Sequence, residues 1–402
     1  MRQNEGKKWT EVLDFLYEEL PKRHKNLYFN ISETDYLESI RSLEKDLPGL
    51  ENDEIKVRIA QIIAAVGDAH TSINIPVYYL CPLEFYWFAD GIYSINTSKT
   101  DEILLYKRIT HIDGMEIEKV IETLSTIISH ENQSFLKSLL PKYLPAIEFL
   151  YGLKIAHNVN GMTVAFLNEK GDQEEWFVNS HPFHEYAELL QSNRINIAED
   201  LLPLYRKNSD QNYWIEYIEK AKTLYFNYNV CKEMAKESVD DFGKSLMDFI
   251  NTSAAEKLVI DMRNNTGGNS TLLDPFIKEL KACEKINQPG KLFVILGRDT
   301  FSSALLNVYS LKNNTNAILV GEPSGGKPNC YGEVQRFTLK HSGFTVVYST
   351  VYYHLIEDDS MPSLFPDIER ELTMQNYIDN ADPCMDYILH FLAARSFKAS
   401  FI

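Results

Sequence analysis

Two adjacent hydroxyls, Ser302 and Ser303, stand in "KLFVILGRDTFSSALLNVYSL", residues 291–311. An apolar run from Leu292 to Leu296 passes through Gly297, Arg298 and Asp299 into a stretch with helical character. A hydroxyl at such a junction can cap the helix by accepting a first-turn amide. It can also serve as a nucleophile, provided a base and oxyanion donors stand near it. Candidate donors lie in "LVIDMRNNTGGNS", where Gly267 and Gly268 either make a tight turn or leave backbone amides open to a carbonyl oxygen. Two bases are available. His70 sits in the polar turn "AAVGDAHTSINI" with Asp68 and Thr71, and Lys327 sits in "GEPSGGKPN". A lone histidine in a turn is more often a structural or surface residue than a catalyst. Glu333, six residues past Lys327, reads as an orienting group for a base or as an exposed strand residue.

A phosphate-binding loop is the competing reading of the lysine turn. Gly321 and Gly326-Lys327 have the spacing G-x-x-x-x-G-K, but Pro328 follows where that loop needs a hydroxyl for magnesium. The strand-like "YGEVQRFTL" then follows instead of a helix. No nucleotide, metal or organic cofactor is expected.

The elements that must position these residues change character along the chain. Residues 1–78 are expected to be a helical domain. Val12, Leu13, Leu16 and Leu20 share one helical face; Ser32 caps a second helix with Asp35 three residues on; Ile55, Ile59, Ile62 and Val66 line a third. Residues 79–195 read as strands and turns, with a hairpin at Lys170-Gly171 and a turn-plus-helix at "IDGMEIEKVIETLSTII". Residues 196–402 alternate strand and helix. The strand-like runs there are "TLYFNYNV", "KLVIDMR", "KLFVIL", "AILVGE" and "FTVVYST", which argues for an α/β core with a mostly parallel sheet. The three polar turns follow three of these strands, where open α/β sheets gather their chemistry.

The 402 residues, 44% hydrophobic, are too many for one small core and imply two or three domains. With 57 acidic against 40 basic side chains, the net charge of −17 disfavours nucleic acid and anionic membranes as partners. Five scattered cysteines form neither a disulfide framework nor a zinc pattern. No apolar run reaches membrane-spanning length, and "MRQNEGKKWTEV" lacks the apolar segment of a signal peptide. The chain is expected to be cytoplasmic as given, or exported with its signal already removed.

Taken together, "DMRNNTGG", "TFSSALL" and "VGEPSGGK" resemble the C-terminal processing (tail-specific) serine protease family, which includes relatives of the tricorn protease core. The family pattern runs from a strand into Asp-Leu-Arg-x-Asn-x-Gly-Gly, then a nucleophilic serine on a strand-to-helix turn, then Gly-Glu-x-Thr/Ser-x-Gly-Lys. In tail-specific members the catalytic lysine follows the nucleophile by 25 residues, and here 327 − 302 = 25, which selects Ser302 over Ser303. The "GDAHT" turn is similar to one found in many bacterial members, and "RITHIDGMEIEKVIETL" looks like the end of a PDZ-type module. Leu305, Tyr331 and Thr266 stand where the family commonly has Glu, an orienting Gln and Pro. The resemblance implies a crotonase/ClpP-like core with a helical N-terminal domain and a PDZ-like middle region. It implies Ser302 as nucleophile, with Gly267, Gly268 and the Ser303 amide as the oxyanion hole.

The resulting expectation is a serine-type peptidase acting on extended or unfolded polypeptides through an acyl-enzyme. The alternative is a catalytically silent peptide- or lipid-binding protein on the same fold. Of the two bases His70 is preferred. A lysine would need its pKa depressed by roughly three units, and Glu322 and Glu333, close along the chain, would keep Lys327 charged. Histidine needs no such depression.

Overall fold

A computed structural model describes residues 3–193 and 198–391. The chain divides into two compact units, one within residues 1–196 and 329–360, the other within 197–328 and 361–402.

The first unit begins with the expected helices. Gln3–Asp14, Phe15–Glu19 and Leu20–Arg23 follow one another directly, and Val12, Leu13, Leu16 and Leu20 are all buried. Ser32 caps Glu33–Asp46 by accepting the Asp35 N–H at 3.1 Å. The third helix, Asn52–Ala64, is followed by Gly67 in the left-handed region. The middle of the chain forms a hairpin, Leu83–Phe88 with Gly91–Thr97. Beside it in sequence is a four-stranded sheet ordered Met115–Glu116, Ile109–Ile112, Gly161–Leu167, Gln173–Asn179. The helix Ile117–Ser125 packs by Val120 and Leu124 into the same apolar cluster as Trp9, Leu16, Ile59 and Val164. Residues 1–78 and the strand-rich region after them therefore share one continuous core.

That core also takes in Phe344 and Val346 from the run "FTVVYST". Sequence periodicity identifies this run as a strand but assigns it to the parallel sheet. It lies instead in Thr345–Tyr353, antiparallel to Cys330–Thr338 and to Ser72–Asn74, in the first unit. Alternation reports that a segment is half-buried, not which sheet it joins.

The second unit is a six-stranded sheet in sequence order: Tyr213–Ile218, Thr223–Tyr228, Lys257–Asp261, Leu292–Leu296, Ile318–Gly321 and Ile368–Glu369. The first pair is antiparallel and the rest are parallel. Because the crossovers step one way along the sheet, their helices gather on one face. Val239–Thr252, Asp274–Ala282 and Ser303–Asn314 cover Phe226, Ile260, Val294 and Leu319. The opposite face, with Tyr225, Val259, Phe293 and Val320, packs on Cys384, Met385 and Ile388 of the helix Pro383–His390. No helix among the described residues is long and apolar enough to cross a membrane. All five cysteines are buried, and burial raises the thiols of Cys231 and Cys384 to about 11 and about 12.

Candidate active site

Three turns at the carboxyl ends of neighbouring parallel strands meet around Ser302. The first leaves Asp261. That buried carboxylate accepts the N–H and Nε–H of Arg263, each at 3.1 Å, and the Tyr225 hydroxyl at 2.7 Å. Arg263 then forks onto Asp382 at 3.0 and 2.9 Å, tying the turn to the C-terminal helix. The Asp and Arg of the motif thus hold the strand end in place. The second turn leaves Leu296, and buried Thr300 closes it. Its hydroxyl donates to the Met262 carbonyl at 2.9 Å and accepts the Gly297 N–H at 2.9 Å. The third turn crosses the second, with the Gly326 N–H donating to the Thr300 carbonyl at 3.1 Å.

Ser302 sits at φ 53°, ψ −128° at the head of the helix Ser303–Asn314. Those angles lie near the first central position of a type II′ turn, a place dominated by glycine. A serine there stores strain of order 1–3 kcal/mol. Its side chain makes no capping bond. Thr300 is engaged elsewhere, and the Ser303 hydroxyl donates to the Gly268 carbonyl at 2.7 Å. None of the three hydroxyls caps this helix.

Gly267 is packed against this serine. A Cβ there would lie 2.9 Å from Ser302 Cβ and 3.1 Å from the Ser303 nitrogen. At Gly268 a Cβ would lie 2.2 Å from the Cys231 carbonyl oxygen. Both residues have positive φ, 110° and 137°, so both positions require glycine. Their amides differ. The buried Gly267 N–H donates to Asn265 Oδ1 at 2.9 Å. Among the described residues, the exposed Gly268 N–H and the Ser303 N–H donate to no other group. The Ser303 amide also opens a 12-residue helix, whose dipole favours negative charge at that end.

Lys327 belongs to the same unit and follows Gly326, whose Cβ position faces Leu305 and Phe301. It is half-buried. Neither nearby acid is paired with it. Glu322 forms a fork with Arg298 at 2.6 and 3.1 Å, and Glu333 accepts the Tyr353 hydroxyl at 3.0 Å. Tyr331, at the orienting-glutamine position, is buried in the first unit against the rings of His24, Phe29 and Tyr352.

His70 and Glu333 lie in the first unit, Ser302, Ser303, Gly267, Gly268 and Lys327 in the second. Glu333 is exposed and interrupts its strand pairing at φ 53°. His70 follows Asp68, a fully buried carboxylate. Asp68 accepts the His70 backbone N–H at 2.9 Å, His24 Nε2–H at 3.0 Å, the Ser349 hydroxyl at 2.6 Å and the Thr71 hydroxyl at 2.5 Å. His24 Nδ1 accepts the Asn26 N–H at 3.0 Å, which leaves Nε2 as the nitrogen that donates to Asp68. Burial alone would raise the Asp68 pKa, but the bonds from His24, Ser349 and Thr71 outweigh it and hold the carboxyl below its usual value. For His70, burial lowers the imidazole pKa and Asp68 opposes that shift. Asp68, His70 and Glu131 have ligand-type atoms within 4.8 Å of one another. The Asp68 oxygens are already committed to four donors, so the group reads as a hydrogen-bond network.

Three residues of these turns escape sequence reasoning. Asn265 was within the quoted motif, but nothing local marks it as the partner of Gly267. His24 and Ser349 reach Asp68 across 44 and 281 positions, beyond any local signal.

No protein-family model matches the sequence, and no curated protein matches it. Among solved structures, a CPAF mutant matches over 96% of this chain and 98% of its own, at TM-score 0.66 and 15% identity. Mature CPAF complexed with lactacystin matches over 95% and 97%, at TM-score 0.63 and 15% identity. At such identity the likeness is one of fold, and the chain shares that fold over nearly all its length. A photosystem II D1 C-terminal processing protease is a more distant match, at TM-score 0.39 and 13% identity over 90% of this chain and 93% of its own.

Proposed function

We propose that this chain is a serine-type peptidase that cleaves extended or unfolded polypeptides through an acyl-enzyme at Ser302. The observation that carries the proposal is the backbone of Ser302. A non-glycine residue held at φ 53°, ψ −128°, with no capping bond, is strain without structural return. A peptide- or lipid-binding protein has no use for it, whereas a nucleophile gains an Oγ presented at the head of a helix.

In the proposed reaction Ser302 Oγ attacks the scissile carbonyl carbon and its proton passes to the base. The negative oxygen receives the Gly268 and Ser303 amides. The C–N bond then breaks, the base returns the proton to the leaving amine, and water repeats the sequence on the ester to free the carboxylate. His70 is the proposed base, supported by a ring that burial keeps neutral near pH 7 and a backbone fixed by Asp68. Lys327 is the competing assignment, supported by its 25-residue spacing and its place in the same unit as Ser302. The sequential one-sided parallel sheet supports a crotonase-like core. The turn at Asp113-Gly114 leading into Ile117–Ser125 supports a PDZ-like region. Net charge of −17 favours neutral or basic substrates.

Labelling with a fluorophosphonate probe tests the proposal. The expected result is one adduct at Ser302 that Ser302→Ala abolishes, with Ser303→Ala still labelled. Faster cleavage of a denatured than of a folded substrate checks the substrate class. Lactacystin, a ligand of mature CPAF, is a competitor to try in the same assay.

A further inference from the structure

The peptide between Gly267 and Gly268 is held from behind. Its carbonyl accepts the Cys231 N–H at 3.0 Å. In a trans peptide the N–H points opposite to the carbonyl, so the Gly268 N–H is turned away from the segment carrying Cys231. The preceding peptide is held by a side chain, since Asn265 Oδ1 takes the Gly267 N–H. Asn265 Nδ2 donates to the Tyr228 carbonyl at 2.8 Å, and the Asn265 carbonyl accepts the Phe301 N–H at 3.1 Å. One fully buried residue thus joins a strand end, the Gly-Gly turn and the residue just before Ser302.

Resting on the peptidase reading, we propose that Asn265 is a positioning residue of the oxyanion site. It withdraws the Gly267 amide from the oxyanion and sets the spacing of the two amides that serve it, those of Gly268 and Ser303. The chemistry asks for asparagine. Aspartate keeps the acceptor but loses the donor for the Tyr228 carbonyl, and adds a negative charge beside a developing oxyanion. Leucine, of similar shape, offers neither bond and leaves a buried N–H and a buried carbonyl unpaired.

Amide NMR of the isotopically labelled wild-type protein, before and after reaction with a fluorophosphonate, tests the assignment without any mutation. The phosphonyl oxygen of the adduct takes the oxyanion position. The Gly268 and Ser303 amide resonances are expected to move and gain exchange protection, while the Gly267 amide stays protected and nearly unmoved in both states. A Gly267 amide that moves with the adduct, or a Gly268 amide that does not, overturns the inference. In the kinetic arm, Asn265→Ala is expected to lower kcat and the phosphonylation rate by on the order of 10²-fold. KM should stay within about twofold, because the interaction is made in the transition state. Wild-type kcat per folded molecule, with only a lower Tm, would mark a purely structural residue and overturn the inference. A wild-type protein that the probe fails to label removes the peptidase reading and this inference together. Labelling of Ser302 with a mobile Gly267 amide removes this inference alone.

Discussion

The turn around Ser302 is held by backbone bonds and neutral side chains, whereas the turn around His70 is held by a carboxylate. At Ser302 the fixed parts are peptide planes: Gly267 against Ser302, Gly326 N–H on Thr300, and two amides with no other acceptor among the described residues. Its geometry is strained, and the side chains that organise it, Asn265, Thr300 and Ser303, are neutral. At His70 no residue from Asp68 to Thr71 has a positive φ, and buried Asp68 gathers four donors. The difference follows from the work proposed for each. An oxyanion must be met by dipoles already in place, which rigid amides supply. A base must keep its proton affinity near neutrality, which depends on burial and a nearby charge.

The sharpest way to break the comparison is at the serine itself. Ser302→Ala is expected to lower peptide hydrolysis by on the order of 10⁶-fold with the fold intact. Ser302→Gly should be equally inactive yet more stable by about 1 kcal/mol, since glycine accepts the strained angles. Denaturant melts of the two variants check this, and a glycine variant less stable than the alanine variant would show that the strain is absent.

Next in size is the base. His70→Ala should lower kcat by on the order of 10³-fold and Lys327→Ala much less. The reverse order would make Lys327 the base. Because burial lowers the His70 pKa, the acidic limb of kcat/KM should lie below pH 6.5, its ordinary value. The same shift has a consequence for stability. The unfolded histidine binds its proton more readily, so this contribution to folding is full above pH 6.5 and falls as pH drops below it. A limb above pH 6.5 would contradict the assignment.

Gly268→Ala probes the peptide side. The new Cβ meets the Cys231 carbonyl oxygen, so the turn must shift. A fall in kcat on the order of 10²-fold, with a stability loss of about 2 kcal/mol, is expected from misplaced donors and strain. Activity near wild type would mean that this amide is not a donor.

The smallest effect should come from the carboxylate side. Asp68→Asn removes the charge that supports the imidazolium of His70, so the acidic limb should move to still lower pH. It also deprives the network of an anionic acceptor, at a cost of about 2 kcal/mol. In the wild type the depressed Asp68 pKa contributes stability above its unfolded value near 3.8, which is lost as pH falls through the folded value. In the asparagine variant that acid-limb loss should be absent from a pH series of melts.

Local chemistry made much of this protein legible from its residues alone. Ser32 with Asp35 marks a helix start because a hydroxyl three residues before an amide can satisfy it. The pair Gly267-Gly268 marks a turn because only glycine tolerates φ 110° and 137° there. The apolar runs ending at Asp261, Leu296 and Gly321 mark buried parallel strands, and so the three turns that follow them. Tertiary structure decided what depends on distant partners. It took "FTVVYST" out of the parallel sheet and paired it with Cys330–Thr338, a choice made by the core around Trp9 and Phe344. It separated the amides of two adjacent glycines, since one meets Asn265 Oδ1 and the other meets no acceptor among the described residues. It also brought His24 and Ser349 to Asp68, because a buried charge must find its donors wherever the folded chain supplies them.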